Sequence, residues 1–253
     1  MQQNLKVLIV GGCFPVQENI PEEKLYHQLL KNKIKYELQL DIDIKVLRYE
    51  KLESVYKKIW NLVNQEKVNI IIFHIRIEQV LRIIKFYLRY YTKDNNYHRG
   101  INLVILGNCL AEKPEFSLTR INQNVPKQHM HLLKTLFINV NYILGYLVFN
   151  QLYAFQKYKS QIGKLMEFGK FNQVKFIFTG PVSRPNRIIE NFTSYLLDVY
   201  MQKIVTKRKG HYIRLWGKYE NDVFLFCDDN IKVNESGHKR VSEIIFKYFQ
   251  LNF

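Results

Sequence analysis

Three short apolar runs constrain this chain most: Lys6–Val10 (KVLIV), Val68–Ile75 (VNIIIFHI) and Gln173–Val182 (QVKFIFTGPV). Each is too short for a helix and is nearly continuous rather than alternating. That is the signature of a strand buried on both faces of a parallel sheet. Between them lie segments with helical periodicity. Pro21 suits a first helical turn, and Glu22–Ile34 (EEKLYHQLLKNKI) follows with acids first and lysines last, as the helix dipole favours. Asp41–Tyr49 (DIDIKVLRY) alternates and reads as a second strand; Glu53–Glu66 places Val55, Ile59, Leu62 and Val63 on one helical face. Ile77–Tyr91 reads as a further helix, Ile101–Lys113 as a strand or packed excursion, and His131–Gly169 as one or two long helices. Glu190–Lys207 reads as a helix, Asp222–Asp229 (DVFLFCDD) as a strand and Ser236–Phe249 as a closing helix. Strands alternating with helices predict an α/β fold: a flavodoxin-like three-layer sandwich whose open, mostly parallel sheet is covered by helices on both faces. No linker-like composition shift interrupts the 253 residues, so one domain is expected over 1–253, with a helical insertion around 100–165.

Composition narrows the function. Hydrophobic residues make up 47% and charged residues 24%, a globular balance. The net charge of +16 is spread along the chain rather than blocked, which disfavours nucleic acid as a partner and leaves peripheral membrane contact open. Cys13, Cys109 and Cys227 are an odd set without a CxxC pair, which argues against a disulfide framework and a zinc knuckle. With no signal-peptide pattern at the N-terminus, a reducing, cytoplasmic setting is expected. The apolar stretch Leu136–Phe155 carries Asn139, Asn141, Asn150 and Gln151, and fits a core helix better than a membrane span. His129 and His131 are spaced i, i+2, off a shared helix face, so no metal site is expected there. The stretch around Gly11 and Gly12 lacks the spacing and the lysine of a phosphate loop. No cofactor is expected, and the oligomeric state is not legible.

In open parallel sheets, ligands bind outside the carboxyl ends of the strands. Here those ends read Gly11-Gly12-Cys13-Phe14-Pro15, Phe73-His74-Ile75-Arg76, Thr179–Asn186 (TGPVSRPN) and Cys227–Asn234 (CDDNIKVN). Cys13 is either a nucleophile at a strand tip or a small buried residue at a tight turn. Ser183 and Arg184 lie in a loop that Pro181 and Pro185 stiffen.

The first and last of these ends together resemble the SGNH hydrolases, also called GDSL esterases and lipases. That family has a flavodoxin-like fold, a Gly-Asp-Ser nucleophile motif after the first strand, a Gly-x-Asn-Asp motif after the third, and a late Asp-x-x-His followed by an asparagine and a Gly-His pair. Aligned on Asn234 and Gly237-His238, the family aspartate falls on Asp229 and the family histidine on Lys232. Serine is replaced by Cys13, and Arg76 falls roughly where the oxyanion asparagine would be. The resemblance therefore implies Cys13, Lys232 and Asp229 as the catalytic set. It implies Gly12 and Arg76 as oxyanion candidates, with Asn108 as a substitute donor and His238 as a second candidate base, while their place at the strand tips adds His74, Ser183 and Arg184 as oxyanion or ligand-binding candidates. A lysine in place of histidine needs a lowered pKa to accept a proton, and Asp229 opposes that by holding the ammonium charged.

The function implied is an acyl hydrolase or acyltransferase acting on an ester or thioester, with a small-molecule or carrier-bound acyl group as partner. Two alternatives stay open. One is a catalytically inactive protein of the same fold that binds a glycan, lipid or anionic metabolite. The other is a basic module for nucleic acid or a membrane surface, faintly suggested by Leu88–Gly100 and Lys207–Tyr219.

Overall fold

The computed structural model of the protein describes residues 4–12, 14–17, 20–49, 52–77, 88–93, 96–101, 151–182, 188–215, 223–227 and 232–253. The chain divides into two compact units, Met1–Val80 with Leu152–Phe253, and Leu81–Gln151.

The first unit is built on a five-stranded sheet. Strand β1 (Leu5–Gly11) is an interior strand and pairs in parallel with β2 (Ile42–Arg48) on one side and β3 (Ile70–His74) on the other. In the second unit, β4 (Leu88–Lys93) and β5 (Asn96–Ile101) form an antiparallel hairpin, with Leu88 opposite Ile101. Back in the sheet, β6 (Lys175–Thr179) pairs in parallel with β3, and β7 (His211–Ile213) with β6, giving the order β2-β1-β3-β6-β7. This is the flavodoxin-like order. The chain reverses direction across the sheet between β1 and β3, which places the ligand crevice beyond their carboxyl ends.

Alternate residues of each strand serve opposite faces. Val7, Ile9, Ile70, Ile72, Ile177 and Ile213 face helix α1 (Tyr26–Glu37) and the last helix, which contribute Leu30, Ile34, Val241, Ile245 and Phe249 to the same buried cluster. The other face presents Leu8, Val10, Ile71, Phe73, Phe176 and Phe178, all buried. Helices α2 (Leu52–Glu66), α3 (Gln151–Phe171) and α4 (Ile188–Lys207) fall on that side. Phe168 of α3 meets Phe176, Tyr56 and Trp60, and Phe155 stacks on Tyr200 of α4. The closing helix α5 spans Glu235–Asn252.

Two segments differ from their sequence pattern. Leu88–Tyr91, expected as the end of a helix, is strand β4. Its run of tyrosines and threonine favours a pleated surface, and only Asp94 and Asn95 separate the two strands, a hairpin signal. Of Asp222–Asp229, expected as a strand, Val223–Leu225 is a 3-10 turn and Phe226 makes an isolated antiparallel bridge with Val233. Its apolar character serves burial of Phe226 and packing of Leu225 against the core cluster, not a ladder in the sheet.

Candidate functional site

Gly12 follows β1 directly, and its buried backbone lies against a guanidinium. A Cβ at position 12 would stand 2.4 Å from Nε and 2.5 Å from Cζ of Arg76. Arg76 sits two residues past β3 and is half-buried. Its Nη1 donates to the Tyr49 carbonyl, and its Cζ lies 5.2 Å from the Tyr49 ring centroid. The Tyr158 hydroxyl, from α3, donates to the Arg76 carbonyl at 2.6 Å and accepts from the Arg76 N–H at 3.3 Å. Main chain and side chain are thus both fixed, and a cation is held beside the carboxyl ends of β1 and β3. A planar guanidinium in that setting suits a carboxylate, a phosphate or a developing oxyanion.

On its other side the tip of β1 packs against the far end of the chain. Phe14 stacks on Tyr26 at 5.0 Å and on His238 at 5.1 Å, and meets His74 edge-on at 5.7 Å. Gln17 donates from Nε2 to the Val233 carbonyl at 2.7 Å and reaches the Cys227 sulfur at 3.9 Å. Lys232 is exposed, and its carbonyl accepts from the Cys227 N–H at 2.8 Å. Asn234 caps α5 by accepting from the Gly237 N–H at 3.0 Å, while its Nδ2 donates to the Phe224 and Phe226 carbonyls. The cap and the bridge together fix Lys232–Asn234 beside Phe14–Gln17.

The histidines divide by tautomer and burial. His74 is buried and bonded at both ring nitrogens, Nε2 to the Tyr26 hydroxyl and Nδ1 to Thr179 Oγ1. Burial pushes its pKa down to about 3. It is a neutral strut joining α1, β3 and β6, with neither lone pair nor proton left for an oxyanion or a ligand. His238 is fully buried, and its Nδ1 accepts from the Tyr26 N–H at 3.2 Å. Its pKa is lowered to about 4, by burial first and by His27 second. A neutral ring that accepts at Nδ1 carries its proton on Nε2, and Nε2 meets no hydrogen-bond partner among the described residues. His238 therefore offers a donor, not a base.

The structure brings Gly12, Arg76, His74 and the Lys232 segment to the carboxyl edge of β1 and β3. Cys13, Asn108, Ser183, Arg184 and Asp229 lie outside the described residues. Sequence reasoning did not single out Tyr49, Tyr158, Gln17, Phe14 or Tyr26. Tyr49 and Phe14 end strand-tip segments and could have been noticed there. Gln17 and Tyr158 carry no local signal, because their partners are 216 and 82 residues away. Among the described residues, no group of three or more His, Cys, Asp or Glu side chains could hold a metal ion, and no helix is long and apolar enough to cross a membrane.

No family model and no curated protein sequence matches the chain. Solved structures do. A psychrotrophic esterase EstA from Pseudoalteromonas sp., in a structure inhibited by monoethylphosphonate, aligns with TM-score 0.57 at 10% identity, covering 97% of this chain and 96% of that one. TesA aligns with TM-score 0.58 at 9% identity, covering 96% of each chain. A catalytic mutant of Axe2, an acetylxylan esterase from Geobacillus stearothermophilus, aligns with TM-score 0.58 at 12% identity, over 100% of this chain and 97% of that one. The class this architecture defines is the SGNH-hydrolase fold. At such identities it is the fold that is shared.

Proposed function

We propose that the protein is an SGNH-type acyl hydrolase or acyltransferase acting on an ester or thioester, with Cys13 as nucleophile. One observation carries the reading. The residues on either side of Cys13 in sequence, Gly12 and Phe14, touch the Arg76 guanidinium and the His238 ring, so the segment that carries Cys13 is held between a cation and the far end of the chain. In the proposed reaction the Cys13 thiol gives its proton to a base, and the thiolate attacks the carbonyl carbon. The sulfur–carbon bond forms, the bond to the leaving oxygen or sulfur breaks, and the leaving group takes up the proton. Water or an acceptor hydroxyl then attacks the thioester and frees Cys13. Arg76, with backbone N–H groups at Gly12, supports the tetrahedral oxyanion; a donor in that role is worth roughly a hundredfold in rate or more. Lys232, in the position of the family histidine, manages the proton, oriented by Asp229.

A second reading, ligand binding without turnover, draws support from the histidines. The His238 acceptor nitrogen is taken by the Tyr26 N–H, and both nitrogens of His74 are engaged. One experiment separates the two. Iodoacetamide at neutral pH should modify Cys13 at least about tenfold faster than Cys109 or Cys227, as expected of a thiol with depressed pKa. p-Nitrophenyl acetate should leave an acetyl group on Cys13 that is absent from Cys13→Ala. Equally slow labelling of all three thiols with no acetyl adduct transfers the assignment to the binding reading.

A further inference from the structure

A second anchored guanidinium lies farther along the same sheet edge. Arg214 follows β7 directly, and Gly180 follows β6 directly. Asp198, on α4, has no exposed surface. Its Oδ1 accepts from the Tyr212 hydroxyl at 2.8 Å and its Oδ2 from Arg214 Nε at 2.6 Å. Burial pushes the Asp198 carboxyl pKa up, while Tyr212 and Arg214 pull it down. A Cβ at Gly180 would stand 2.0 Å from Asp198 Oδ1, so the tip of β6 admits the carboxylate only because residue 180 is glycine. The Arg214 side chain is 39% exposed, and its Cζ lies 5.5 Å from the ring of Tyr195, itself 40% exposed. Of the three guanidinium nitrogens, Nε is the one bonded to Asp198. The Nη hydrogens bond to no described residue.

We propose that Arg214 is an anion-recognition residue, which presents its Nη edge to a carboxylate or phosphate group of the ligand. Neutralising Asp198 does not account for the arrangement. A buried ion pair is often no more stabilising than an apolar pair of similar volume, and only one of three guanidinium nitrogens takes part. The remaining two form the planar fork that matches carboxylate and phosphate oxygens. Asp198 below and Tyr195 beside it restrict the rotamers, so little side-chain entropy is left to lose on binding. The place also fits, since ligands of this topology lie at the carboxyl edge of the sheet. Three strand steps of about 4.8 Å separate β1 from β7, so the anion would sit roughly 14 Å along the edge from Gly12. Resting on the acyl-transfer reading, the substrate class becomes an ester or thioester carrying an anionic group at that remove from its carbonyl.

The test uses the full chain and inorganic phosphate at constant ionic strength, followed by calorimetric titration. Arg214→Gln should weaken phosphate binding by about tenfold or more. Because that change leaves Asp198 buried without its cation, the D198N/R214Q pair serves as a second variant with a neutral network, and it should show the same loss. In parallel, mono-p-nitrophenyl esters of dicarboxylic acids are compared with the uncharged esters of equal length. The wild-type preference for the charged series should disappear in both variants. Unchanged phosphate affinity in a folded Arg214→Gln or D198N/R214Q protein, or no binding by the wild type, overturns the proposal. Phosphate binding that depends on Arg214 in a protein with no esterase activity supports the anion site while sinking the acyl-transfer reading.

Discussion

A methyl group at position 12 would stand 2.4 Å from Nε of Arg76, so Ala at this position displaces the guanidinium or the tip of β1. The guanidinium does not yield freely, because Tyr49 holds its Nη1 and Tyr158 brackets its main chain. Overpacking of this kind costs about 1–3 kcal/mol. Gly12→Ala should therefore lower the urea midpoint, and the loss should shrink in the background of Arg76→Ala, which removes the obstruction. Midpoints for the two single variants and the double variant give the coupling directly. Additive losses would mean that the two residues do not share the space. At the level of chemistry, the same contact ties the residue preceding Cys13 to a cation, and that is why Arg76 rather than His74 is given the oxyanion role.

At the scale of elements, four helices end on residues in the left-handed region: Gln39, Lys67, Gln173 and Lys209 have φ of 55°, 54°, 55° and 58°. None is glycine, although this conformation costs a side-chain-bearing residue roughly 1–2 kcal/mol. The terminal carbonyls are still used, with Val174 N–H donating to Gly169 O at 2.8 Å and Gly210 N–H to Val205 O at 2.9 Å. Gln173→Gly should therefore stabilise the fold by about 0.5–1 kcal/mol, the relief of strain exceeding the added entropy of the unfolded chain. A urea midpoint that falls or stays level contradicts this. The same four positions explain what was legible in the sequence. The buried strands were plain, because β1, β3 and β6 lie inside a parallel sheet and read as continuous apolar runs. Helix ends were not, because the usual glycine signal is absent at these turns. β7 was hidden for another reason: three residues on one edge, HYI, carry no pattern, whereas the apolar Val223–Cys227 stretch imitates a strand. Of the candidate site, the residues adjoining β1 and β3 were legible from their place after apolar runs. Tyr158, Gln17 and the Asp198–Arg214 pair were not, since only the folded topology brings them to the sheet edge.

For the molecule as a whole, the junction between its two ends is a core of uncharged imidazoles, and that makes its stability depend on pH. His74 and His238 titrate in the folded protein at about 3 and about 4, both lowered chiefly by burial. His27, buried beside Tyr26, is lowered as well, by burial against the opposing pull of Glu22 and the Pro15 carbonyl. In the unfolded chain each takes up a proton near pH 6.5. Between these limits the unfolded state binds more protons, so stability is complete above about pH 6.5 and is lost as pH falls. By pH 4 the loss is roughly 3 kcal/mol for each of His74 and His238, a large share of the 5–15 kcal/mol typical of a domain. Asp198 works the other way: its raised pKa adds stability that is full below the ordinary carboxylate range and is lost as pH rises through its folded value. It offsets part of the histidine loss as pH falls below that folded value. Urea midpoints should hold level from pH 8 to about 6.5 and then drop steadily to pH 4.5. His238→Asn keeps an acceptor for the Tyr26 N–H and removes one titration, so its slope below pH 6.5 should be visibly shallower. A flat wild-type profile down to pH 5 would show that these rings are already protonated or solvated in the native state. The packing of Phe14 against His238, which joins the two ends of the chain, would then need another account.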